Sequence, residues 1–60
     1  MNNFTATQKQ KISDQGAQVK FVAFNPNTTT EPAAPAGYTE YYRETTANLV
    51  EIVYCKPAVI

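Results

Sequence analysis

The clearest patterning of apolar and polar positions lies in residues 38–56. Tyr38 to Thr45 reads Tyr-Thr-Glu-Tyr-Tyr-Arg-Glu-Thr, rich in the aromatic and threonine residues that strands favour. Thr46-Ala47-Asn48 then predicts a three-residue hairpin loop, with Asn48 in the left-handed conformation that Asn tolerates after Gly. Leu49 to Cys55 is the returning strand, and Pro57 stops it because proline cannot donate to a ladder. This loop sets a register: Thr45 opposite Leu49, Glu44 opposite Val50, Arg43 opposite Glu51, Tyr42 opposite Ile52 and Tyr41 opposite Val53. The one acid of the apolar strand then faces the one arginine of its partner. Cross-strand pairs of this kind contribute roughly 0.2–1 kcal/mol each.

The returning strand is apolar on both faces, with Val50, Ile52 and Tyr54 on one and Leu49, Val53 and Cys55 on the other. Such strands are normally covered on both sides. A four-stranded sheet covers only one face, so either the sheet curls into a small barrel or a partner covers the second. The side chains assigned to that partner surface are Tyr38, Tyr41, Tyr42, Leu49, Val53, Tyr54, Val59 and Ile60. Tyrosine suits an interface because it brings large area and a polar tip.

The first third is less decided. In residues 4–12, Phe4, Ala6 and Ile12 share one parity while Thr5, Thr7, Lys9 and Lys11 share the other, a polar-out strand weakened by Gln8 and Gln10. A helix from about Thr5 to Gln15 competes, since Gln, Lys and Ala favour helices, but its apolar residues form no helical stripe. The strand is the preferred reading. Ser13-Asp14-Gln15-Gly16 is a turn, and Ala17 to Phe24 is a second strand. A four-residue loop places Ile12 opposite Ala17 and gathers Phe4, Ala6, Ile12, Val19 and Phe21 on one face. Lys9, Lys11 and Lys20 then share the outer face beside Phe24, a possible phosphate contact; lysines also blunt strand edges.

Residues 25–37 carry three prolines, a threonine run and Gly37, and predict a long irregular loop. The expected fold is therefore all-β: one small domain over residues 1–60 with hairpins at 4–24 and 38–56, forming a four-stranded sheet or small SH3-like barrel. The loop at 25–37 joins them and an apolar tail, 57–60, follows.

Composition narrows the chemistry. Cys55 is the only cysteine and there is no histidine, so neither an intrachain disulfide nor a Cys/His zinc site can form, and no Ser-His-Asp triad exists. Cys55 sits mid-strand with no histidine to activate it and reads as a buried thiol. Glu40 and Glu44 would lie about 13 Å apart on an extended strand, beyond the roughly 5–9.5 Å of a glycosidase pair. Neither a cofactor nor a small-molecule substrate is expected, and the chain is not expected to be an enzyme. Five basic and five acidic residues cancel, which argues against bulk capture of nucleic acid or membrane. No basic, apolar leader opens the chain and no apolar run reaches the ~20 residues of a bilayer span. A soluble, cytoplasmic or virion-associated protein is expected.

A chain this short buries only about 60% of its unfolded surface, and small scaffolds without disulfide or metal commonly gain stability by association. The expectation is a structural or interaction protein, acting as a homo-oligomer or as an accessory subunit of a larger assembly such as a phage or viral decoration protein. The alternatives are a small β-barrel that binds nucleic acid through Lys9, Lys11 and Lys20, and a small inhibitor of a host protein.

Overall fold

The computed structural model describes residues 4–60 as one helix followed by three strands: α1 (Ala6–Asp14), β1 (Gln18–Phe24), β2 (Thr39–Thr45) and β3 (Val50–Lys56). The protein is mostly β, with a three-stranded antiparallel sheet in the order β1-β3-β2. The four-stranded sheet or SH3-like barrel expected from the sequence is thus replaced by three strands and a helix.

The first correction concerns the expected strand 4–12, which from Ala6 onward is helical rather than extended. Local hydrogen bonding decides it. Thr5 caps the helix: its hydroxyl accepts from the Gln8 amide, and the Gln8 side chain accepts from the Thr5 amide, a reciprocal capping box. Phe4 precedes the cap, and the Lys9 ammonium lies 6.0 Å from its ring, one turn on. The helix ends in a Schellman arrangement. Gly16 adopts φ +65°, its amide donates to the Ser13 carbonyl, and the Ala17 amide donates to Ile12. The four-residue β-turn pairing Ile12 with Ala17 therefore does not form, although the two residues still meet in one apolar cluster. The helix has one buried residue, Ile12, and that single contact is why its sequence shows no apolar stripe.

The second correction concerns the β2–β3 register. Thr46 and Leu49 close a four-residue connection, with the Thr46 amide and hydroxyl both donating to the Leu49 carbonyl. Among the described residues no non-glycine has positive φ, so Asn48 is not left-handed. The pairing is Thr45–Val50, Glu44–Glu51, Arg43–Ile52 and Tyr42–Val53, one residue away from the expected set. A bulge between Glu40 and Tyr42 then absorbs the offset, and Glu40 faces Tyr54 while Thr39 faces Cys55. Alternation would send Tyr41 and Tyr42 to opposite faces. The bulge lets both pack on the helix side, where the Phe4 ring lies 6.3 Å from Tyr41 and 5.3 Å from Tyr42.

β3 is covered on both faces, and the chain itself does the covering. Ile12, Val53 and Cys55 form the buried cluster on the helix side, flanked by Phe4, Ala17, Tyr41, Tyr42 and Val59. Val50, Ile52 and Tyr54 form the cluster on the other side, with Val22, Phe24 and Tyr38 packed against it. The topology supplies this second cover. β1 and β2 both run antiparallel to β3 and flank it, so the connection between them must return along the sheet and cross β3. Residues 25–38 make that crossing without a helix. They are fixed at three points: Asn27 donates to the Ala47 carbonyl and the Asn48 side chain, Glu31 pairs with Arg43, and the Tyr38 hydroxyl donates to Gln18.

Candidate functional site

The tyrosines assigned to a partner surface are divided by the fold. Tyr54 and Val53 are core residues, each 3% exposed. Tyr41, Tyr42 and Val59 flank the helix-side cluster, while Tyr38 flanks the opposite one. Leu49 is exposed in the connection before β3. Ile60 is also exposed, although its backbone exchanges two hydrogen bonds with the Gln15 side chain that hold the tail beside the end of α1.

The three lysines are divided too. Lys9 and Lys11 lie on α1, and Lys9 lines the helix side of the sheet. Lys20, opposite Tyr54 in the ladder, projects from the other face. No shared lysine stripe exists. The Lys20 ammonium instead sits 5.0 Å from the Tyr38 ring centre, and Lys56 sits 5.8 Å from the same ring.

The unexpected surface is on β1. Val19 is 49% exposed and Phe21 56% exposed, more than any other strand apolar residue named above. They stand opposite Cys55 and Val53 in the ladder, on the helix side. There they border an open groove of about 370 Å³ whose floor and walls are Phe4, Ile12 and Val53, with Lys9 and Glu51 at its polar rim. Phe4, just ahead of α1, packs on Tyr41 and Tyr42 of β2, while Val19 and Phe21 of β1 stay about half exposed. The sequence carries a signal for this, since Val19 and Phe21 alternate with Gln18 and Lys20, but the expected hairpin sets them on one face with Phe4, Ala6 and Ile12.

The two edges of the sheet differ. β2 carries the bulge and a charged cluster. Arg43 holds Glu31 in a two-pronged pair at 2.8 and 3.0 Å and contacts both oxygens of Glu40 at 2.8 and 3.2 Å. These bonds hold the Glu31 and Glu40 carboxyls below the ordinary glutamate value and raise that of Arg43. β1 pairs with β3 through seven uninterrupted positions, without proline or bulge, and Lys20 is its one charge.

Cys55 is fully buried, and burial pushes its thiol up, away from the reactive thiolate. Among the described residues no three Cys, Asp or Glu side chains converge as metal ligands do. No described helix is long and apolar enough to cross a membrane. No family model, curated protein or solved structure matches the chain.

Proposed function

We propose that this chain is a non-enzymatic structural and interaction protein that works by associating with copies of itself, using the groove between α1 and β1. The observation that carries the reading is the exposure of Val19 and Phe21 beside an open apolar groove. Where six of the described residues form the buried apolar core, leaving two such side chains half in water is costly. Full burial of each is worth about 1.5–3 kcal/mol. A contact that covers them therefore adds materially to a small scaffold's stability. A decoration-type accessory subunit would present the same surface to a larger lattice, of the kind a phage or viral particle offers.

Light scattering over a range of concentrations tests this. The expected result is a mass that rises from the 6.6 kDa of one chain to a multiple of it. A single-chain mass throughout would count against self-association. The nucleic-acid alternative loses its main support, because Lys9 and Lys20 lie on opposite sides of the sheet.

A further inference from the structure

We propose that two copies join edge to edge through β1, antiparallel and with a two-fold axis at Phe21, to make a continuous six-stranded sheet. This deepens the association reading above and rests on it.

Backbone direction comes first. The Leu49 carbonyl accepts from Thr46, so the polar groups of Leu49 face β2. Those of Val50, the next residue along β3, face β1, where Val50 stands opposite Phe24. Phe24, Val22, Lys20 and Gln18 thus spend their backbone groups on β3. Val19, Phe21 and Ala23 aim theirs outward, with no described strand beside them.

A two-fold axis at Phe21 uses those outward groups. Phe21 pairs with Phe21 of the second copy, and Val19 with its Ala23, each as a hydrogen-bonded pair. Lys20 falls opposite Val22 of the second copy, so the one charge of the strand meets no like charge. Centring the axis on Lys20 would oppose two ammonium groups. The side chains agree with the backbone. Val19, Phe21 and Ala23 lie on the groove side, so the pairing sets the two Phe21 rings together and joins the grooves. Lys20 does not guard the edge, because its ammonium is drawn over Tyr38.

The occupant is a second copy rather than an unrelated strand because the two-fold register sets apolar against apolar at Phe21 and at Val19 with Ala23, opposes no like charges, and joins chains with no net charge to oppose their own association. The β2 edge offers no equivalent, since its bulge and the Arg43 cluster interrupt it. A standard stable interface takes about 800 Å² from each partner, which is about one fifth of this chain's 4006 Å² surface. One strand edge with two apolar side chains supplies less, so the dimer forms at micromolar or higher concentration.

The experiment combines sedimentation with amide hydrogen exchange from micromolar to millimolar protein, on the wild type, Phe21→Lys and Ala23→Pro. Phe21 is exposed in one copy, so Phe21→Lys leaves the fold intact. Ala23→Pro removes an outward N–H without touching the inner ladder. The expected result is a mass that doubles with concentration, with Val19, Phe21 and Ala23 amides gaining protection together. Both variants weaken association about tenfold or more, the effect of losing one central interface contact, while far-ultraviolet circular dichroism stays unchanged. A mass that rises equally in both variants, with the three amides still exchanging freely, overturns edge pairing and leaves the association reading standing. A single-chain mass through millimolar concentration overturns both, including where β1 captures a foreign strand instead.

Discussion

At the scale of single residues, the fold depends on a few positions with one conformation each. Gly16 takes φ +65°, and open space surrounds a Cβ placed there. Gly16→Ala therefore meets no clash but carries the left-handed backbone penalty, about 1–2 kcal/mol, read as a lower urea midpoint; Gly16→Asn should lose less. Thr5→Ala removes the helix cap and should cost about 1 kcal/mol in the same measurement. The Thr5-x-x-Gln8 capping box was legible in the sequence as a helix start. The strand parity of Phe4, Ala6 and Ile12 points the other way, because one buried residue leaves no helical stripe. Tyr41 is the opposite case. Two adjacent tyrosines give no sign of a bulge until Phe4 is known to pack against both rings, and Phe4 is distant in sequence.

At the scale of elements, the strands at 18–24, 39–45 and 50–56 and the irregular crossing were readable from alternation and from prolines. Their order was not. Hairpins at 4–24 and 38–56 are the simplest local pairing, yet β1 pairs with β3 across the crossing. Only the number of apolar residues in β3 hinted at this central place. The crossing segment itself is secured by Arg43. Because Glu31 and Glu40 titrate lower in the folded chain than their ordinary value of 4.5, their contribution is complete above that value. It is lost as pH falls through the lower folded-state values. Thermal midpoints should thus drop on acidification, and Arg43→Leu should show a smaller drop from an already lower midpoint at neutral pH. Limited proteolysis should cut residues 25–38 faster in that variant. An unchanged acid response would remove the assigned role of Arg43.

At the scale of the whole molecule, a thin sheet is crossed on one side by the 25–38 connection and packed on the other by Phe4 and Ile12, which leave a groove beside β1. The second apolar face of β3, which the sequence leaves to a curled barrel or to a partner, belongs to the core. Val53→Asp should accordingly abolish cooperative thermal unfolding rather than release folded monomers, since it buries an unpaired carboxylate beside Ile12 and Cys55. On the strands themselves the exposed large apolar side chains are Val19 and Phe21, and the account turns on how they are covered in solution. The most direct measurement is an isotope-filtered nuclear Overhauser experiment on a mixture of labelled and unlabelled chains at millimolar concentration. The predicted result is a contact between the Lys20 Hα of one copy and the Val22 Hα of the other, the closely spaced pair of a two-fold ladder centred on Phe21. A sample of doubled mass in which that contact is missing, with intermolecular contacts arising elsewhere on the surface, would contradict it.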